Sequence, residues 1–297
     1  MQGRAYWGRD PHVIDWPQHK DICKKVGRAR YELEAEEAEE ATLDAYAASL
    51  STILPGGSNV DSLFKLAMLG FEVDTRLSVR NGLGNVLRMT ERHKSPMLAM
   101  ADLAPANFLC LGIDQEAYDF MKWWIVTPDT LMSPPRQPYT AVKGEDIFEL
   151  VTVFIGECLS LGFMAHLTLL KLRLLMDLQT LQRSRNEVPG HLPQELLDQI
   201  RKTMVSSAIT KTLIERDNHT PNIESLILEV KTLYDVVETQ NKHFWPAVPN
   251  PADHLTAEAE GGYYGNEGEI RMALRNTYKA WAETPGVIDT TEILSQT

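Results

Sequence analysis

The 297-residue sequence predicts an all-α protein of stacked antiparallel helical hairpins, and three observations predict it. From Val60 onward, apolar residues recur at three- and four-residue spacings, the period of a half-buried helix. Strand signals are nearly absent. Breakers fall between the periodic stretches, at Ile53–Asn59, Gly112, Thr127–Pro138, Pro189–Pro193 and Pro285-Gly286.

Each element has its own reason. Glu32 to Asp44 reads ELEAEEAEEATLD, seven acids and no base among strong helix formers, so a helix is expected there. Tyr31, Ala35, Ala38, Thr42 and Ala45 trace a small-residue stripe along it. Its plain role is a solvated helix bridging two parts, and its sharper one an acidic docking face. Leu63, Leu66, Ala67, Leu69, Gly70 and Val73 make Val60 to Thr75 amphipathic, and Val79 to Arg92 continues as a shorter helix despite Gly82 and Gly84. Met97 to Leu111 is apolar at Leu98, Ala101, Ala104, Phe108 and Leu111 and ends at Gly112, a position suited to positive φ. Asp114 stands where an N-cap would be, ahead of a helix to Ile125. The unit formed by Leu111-Gly112, Ala117, Tyr118 and Phe120 resembles an αα-hairpin of the tetratricopeptide kind, although no 34-residue period recurs.

Beyond the four-proline loop, Gly144 to Arg185 reads as the longest helical stretch. Phe163, Leu167, Leu170, Leu174 and Leu178 share one face, widened by Leu169, Leu172 and Met176, which places this helix at the centre of the core. Glu195 to Arg216 and Asn222 to Val237 are two further amphipathic helices. Phe244 to Gly265 is a Pro/Gly-rich loop, and the last helix runs from about Glu267 to Glu283.

Composition narrows the function classes. The 29 basic against 41 acidic residues give a net charge of −12, which argues against a basic nucleic-acid binder, so no DNA or RNA partner is expected. Three cysteines, Cys23, Cys110 and Cys158, rule out a disulfide scaffold and fit a reducing compartment. The most apolar segment, Leu159 to Leu178, carries His166, Lys171, Arg173 and Asp177, each charge costing roughly 2.5–3.5 kcal/mol at a bilayer centre, so it reads as a buried helix. With no signal peptide in MQGRAYWGRDPHVIDWPQHK and no membrane span, a cytoplasmic or nuclear location is expected.

The first residues carry the one chemistry-bearing motif. His19-x-x-x-Cys23 places imidazole and thiol one turn apart, on one face if the segment is helical, and both suit zinc. The string AYWGRDPHVIDWPQHKDICKK, with Tyr6, Asp15-Trp16, His19 and Cys23, resembles the C-terminal half of a MYND zinc finger. Further on, DQEAYDFMKWW, LTLLKLRLLMDL, NKHFWPAVPNP and WAETPG resemble the helical region that follows degenerate MYND fingers in basidiomycete fungal proteins. The resemblance implies a degenerate finger over residues 1–26 and a helical domain over 27–297, to which the Pro-rich loop 127–138 offers a sub-boundary. It also implies a peptide-binding ancestry, because intact MYND fingers bind short proline-containing peptides.

The departures from that family shape the expectation about metal. Trp7 and Pro11 stand where the family pattern asks for cysteines, and His12 is ill-placed as a third ligand. A structural zinc site needs four ligands. His19 and Cys23 are therefore expected to be a vestigial metal pair, with no zinc bound unless the missing ligands come from elsewhere.

Other constellations read as structure. Asn218-His219-Thr220-Pro221-Asn222 is superficially close to a string of SET-and-MYND methyltransferases, but it lacks the cysteine, is two residues short and suits a helix-capping turn. Gly82-Leu83-Gly84-Asn85 lacks the Lys-Ser/Thr of a phosphate loop. Cys158 and His166 stand eight residues apart, about 12 Å along a helix and too far for proton transfer. Cys110 and Cys158 read as small core residues, and Trp123-Trp124 as core packing. The sequence thus points to a non-catalytic interaction or scaffold protein with protein partners. The alternatives are a zinc-binding MYND protein with a truncated finger, or a methyltransferase relative.

Overall fold

The structure, a computed structural model, describes residues 9–49, 60–73, 75–92, 98–127, 138–156, 159–187, 193–208, 211–257 and 265–294. Helices, turns and short irregular connections account for all of these, with no strand among the described residues, so the chain is all-α. It divides into two compact units, Met1–Ser95 with Thr130–Pro135, and Pro96–Asp129 with Arg136–Thr297.

The first unit holds α1 (Arg9–Ser49), α2 (Val60–Val73) and α3 (Arg76–Arg92), with α2 packed on both others. The acidic stretch is helical as expected, within a 41-residue helix that runs without interruption through residue 26. α1 buries Ala29 and Leu33 and sets several acids against bases and a hydroxyl. Glu32 pairs with Lys65 at 2.6 Å, Glu36 accepts from the Ser62 hydroxyl at 2.8 Å, and Glu37 pairs with Arg88. Between α2 and α3, Ser78 N–H donates to Thr75 Oγ1 and Thr75 N–H to Ser78 Oγ, a reciprocal cap that starts α3 at Arg76. Gly82 is where the two helices meet: a Cβ there would lie 2.5 Å from Phe71 Cε1 and 3.0 Å from the Ala67 carbonyl.

The second unit begins with the expected hairpin, α4 (Leu98–Leu111) and α5 (Asp114–Val126), turned at Gly112 with φ +68°. Asp114 is not the N-cap that the sequence suggested: Ile113 occupies that place, and the Asp114 carboxylate turns inward to a buried arginine. Trp123 is buried in a cluster with Phe120 and Trp124.

The long helix expected from Gly144 begins only at Leu161, as α6 (Leu161–Glu187). Residues 138–156 instead form single 3-10 turns at Tyr139–Ala141 and Val151–Val153, joined by irregular chain. The reason lies in where its backbone groups bond. Gly144 and Glu145 N–H donate to the Asp119 carboxylate, and Lys171 Nζ donates to the Ile147 and Glu149 carbonyls. Partners outside the segment replace the i→i−4 ladder of a helix.

α6 is the core helix that its composition predicted. Phe163, Leu167, Leu170, Leu174 and Leu178 are all fully buried. It packs against α4, α5, α9 (Thr220–Gln240), α12 (Glu267–Ala282) and α13 (Val287–Leu294). The helix expected over Glu195 to Arg216 is divided into α7 (Gln194–Thr203) and α8 (Lys211–Ile214). Val205 and Ser206 N–H donate to Asp177 of α6 at 3.0 and 2.7 Å, which draws the chain out of helix after Thr203.

A turn precedes α9 as read, with Asn218 Oδ1 accepting from Thr220 N–H at 2.9 Å and Pro221 in the first turn, but the N-cap is His219, whose side chain makes no capping bond. Phe244 to Gly265 contains α10 (Phe244–Ala247) and α11 (Ala252–Thr256), which the sequence did not suggest. Trp245 stacks on Tyr234 at 4.8 Å, meets Trp281 edge-on and donates Nε1–H to the Tyr234 carbonyl, so these short turns are fixed by aromatic packing. Asn266 caps α12 through Glu269 N–H, and α13 follows Gly286, whose φ is +74°.

Candidate functional site

Two kinds of polar site emerge from this frame: ionisable groups buried inside the second unit, and an open cleft on its side. The buried groups come mostly from His166, Lys171, Arg173 and Asp177 in the apolar part of α6. Arg173 Nε donates to Asp114 Oδ1 at 2.7 Å and Nη2 to Oδ2 at 3.2 Å. Nη1 reaches Thr284 Oγ1 at 3.0 Å, and Nη2 also reaches the Val205 carbonyl. Ser207 completes the shell, its N–H and hydroxyl both donating to Asp114 Oδ2. Each charge is thus paired and hydrogen-bonded, the condition under which burial of both is tolerated.

A second network surrounds Lys171, which is fully buried. Its ammonium lies 2.7 Å from Glu229 Oε2 and 5.6 Å from the Tyr118 ring centroid, besides the two carbonyls that it holds. Burial lowers the Lys171 pKa, and Glu229 works against that shift. Tyr118 and Lys122 both donate to Glu149 Oε1, so the Glu149 carboxylate is held below its usual pKa although burial alone would raise it.

Three further groups have shifted pKa values. Burial raises Asp102, which accepts from Ser160, to about 7, and raises Asp177 to about 6. His166 is fully buried and is lowered to about 3 by that burial, with the Gly162 carbonyl opposing the shift. Neither of its ring nitrogens has a hydrogen-bond partner of good geometry. Three of the four groups that excluded a membrane span, Lys171, Arg173 and Asp177, are therefore tie points that hold the 138–156 segment, α5 and the chain after α7 onto α6.

The cleft is open and differently lined. Its volume is about 580 Å³. Thr232, Asp235, Val236, Thr239 and Gln240 form one wall, at spacings that put them on a single face of α9. Phe154, Ile155, Gly156, Leu159 and Met164 form the other. Phe154 is anchored against Tyr118 and Phe163, and Gly156 takes a positive φ of +98° that suits glycine. Leu228, one turn before Thr232, is 68% exposed, and Val153 and Ile155 are exposed beside the other wall. Asp235 is the titratable residue of the lining. Tyr234, outside the lining, has its pKa raised by burial first and then by the Glu238 and Asp235 carboxylates.

The residues singled out from the sequence lie elsewhere. His19 and Cys23 both fall within α1, so the backbone places them one turn apart as expected. Cys23 is half-buried, whereas the His19 side chain lies outside the described residues. Among the described residues no group of three or more His, Cys, Asp or Glu could hold a metal ion, so the donor set described does not fit a four-ligand zinc site. Trp7, Cys158 and most of the loop 127–138 are outside the described residues, and Cys110 is half-buried. His219 is buried at the start of α9, its pKa lowered by burial and by Arg185 and Arg216. None of the cleft residues had been singled out, because its walls join at a distance of about 80 residues in sequence.

No protein-family model, curated protein or solved structure matches the chain. No helix among the described residues is long and apolar enough to cross a membrane.

Proposed function

We propose that this chain is a non-catalytic protein-interaction protein that binds an apolar peptide segment carrying a basic residue in the cleft along α9. The observation that carries the reading is the contrast between the cleft and the interior. Phe154, Ile155, Leu159, Met164 and Val236 give the cleft an apolar lining, with Asp235 on one wall. The buried charges, by contrast, are used by one another and by the backbone. An apolar groove with one polar anchor is suited to holding a side chain and orienting a peptide. The same reading is in keeping with the peptide-binding ancestry implied by the resemblance to MYND proteins, with binding moved from the finger to the helical domain.

The test is selection of short peptides from a random library on the purified full chain. Winning sequences should combine apolar residues with Lys or Arg, and lose at least about tenfold in affinity on the Asp235→Lys and Val236→Arg variants. Peptides that bind both variants as well as the parent, or a library that yields no binder, would reject the reading.

A further inference from the structure

The outward face of α1 has a charge order that its own unit does not use. One side of the helix is committed to α2 and α3 through Ala29, Leu33, Glu32, Glu36 and Glu37. The opposite side centres on Tyr31, an aromatic ring 73% exposed. At about 100° per residue, Lys20, Lys24 and Arg28 share that side on the N-terminal half, and Glu34 and Ala38 share it on the C-terminal half. All five are exposed. Arg28 makes one bond within its own helix, to Glu32 at 2.9 Å, yet its side chain stays 82% exposed. This order gains nothing from the helix macrodipole, which favours acids near the N-terminus and bases near the C-terminus.

We propose that a second copy of this chain docks on this face, the two α1 helices running antiparallel about a two-fold axis near Tyr31. Such an axis sets each residue n places before Tyr31 opposite the one n places after it in the partner copy. Arg28 then faces Glu34, Gly27 faces Ala35, and Lys24 comes beside Ala38 and Glu39. Bases meet acids twice over by symmetry, and a parallel pairing would set base on base. Gly27 has nothing within 4 Å of an added Cβ, so the surface one turn from the axis is open to the partner's Ala35. The exposed Tyr31 supplies the apolar centre that the charges frame.

Sedimentation of the full chain over a range of concentration tests this, with circular dichroism confirming that each variant keeps its helices. The parent should dimerise reversibly, more weakly at high salt. Arg28→Glu and Glu34→Arg each set like charges against each other at both symmetric positions, and each should weaken the homodimer about tenfold or more. Mixed in equal amounts, the two variants form a heterodimer in which both contacts again join opposite charges, so the mixture should dimerise as tightly as the parent. Tyr31→Asp should leave monomer. A parent that remains monomeric at about 100 μM overturns the proposal. So does a mixture no tighter than its components, or one much tighter than the parent, as parallel pairing requires.

Discussion

The two units join their helices by different electrostatic means. In the first, ion pairs between α1 and the α2–α3 pair sit near solvent: Lys65 with Glu32 and Arg88 with Glu37 all keep a third or more of their side-chain area exposed. In the second, Arg173–Asp114 and Lys171–Glu229 are buried at both ends. Exposed pairs are worth about 0–1 kcal/mol because water competes for both partners. Buried pairs have lost their water, so the removal of one partner strands the other. The first unit is therefore held chiefly by apolar and close backbone packing around Gly82, and the second depends on every charge in its interior being answered.

The largest effect should come from breaking one buried pair. Asp114→Ala leaves the Arg173 guanidinium without its carboxylate and should cost about 3–5 kcal/mol in denaturant unfolding followed by tryptophan fluorescence. Asp114→Leu combined with Arg173→Met should recover most of that loss, since no charge is then stranded. If the single substitution costs no more than an exposed pair, the contrast between the units fails.

Titration sharpens the same contrast. The folded pKa of His166, about 3, lies below its ordinary 6.5, so its contribution is complete above pH about 6.5 and is lost as pH falls toward 3. Asp102 has the opposite sign. Its folded pKa, about 7, lies above the ordinary 3.8, so its contribution is present below pH about 4 and is lost as pH rises through 7. His166→Leu should remove acid sensitivity worth on the order of several kcal/mol, and Asp102→Asn should flatten the decline between pH 4 and 7. Unfolding curves across that range check both slopes, and parallel profiles for variant and parent would contradict the assignment.

Smaller effects belong to the first unit. Gly82→Ala pushes a methyl group toward Phe71 and the Ala67 carbonyl and should cost about 1–3 kcal/mol, read as faster amide exchange in α2 and α3. Glu37→Ala removes only its exposed link to Arg88 and should cost less than about 1 kcal/mol by the same measurement. A larger loss for Glu37→Ala than for Gly82→Ala would reverse the reading of how this unit is held.

What could be read from the sequence follows the range of the interactions involved. α2, α4, α5, α9 and α12 were legible because apolar period, a Gly112 turn and an Asn218-Pro221 start are local signals. The start of α6 and the end of α7 were not, because Lys171 and Asp177 bond backbone groups 22 to 29 residues away. The Asp114 carboxylate left its expected capping role for the same reason, since Arg173 lies 59 residues on. The four titratable residues in Leu159 to Leu178 were a visible signal of a polar interior, read there only as evidence against a membrane span. The cleft had no such trace: Thr232, Asp235 and Val236 are an ordinary exposed helix face until the 154–156 turn is folded against them. His19 and Cys23 stood out through spacing and resemblance, and among the described residues no further metal donors gather with Cys23.

Under the proposed function, a peptide binds in the cleft along α9 while the buried charges serve the fold. Amide hydrogen exchange of the full chain, with and without a library-selected peptide, tests it most directly. The account predicts added protection at residues 154–156 and 232–240, and little change around Asp114, Arg173 and Asp177. Protection confined to α1 around His19 and Cys23, or spread through the buried network with the cleft unchanged, would contradict it.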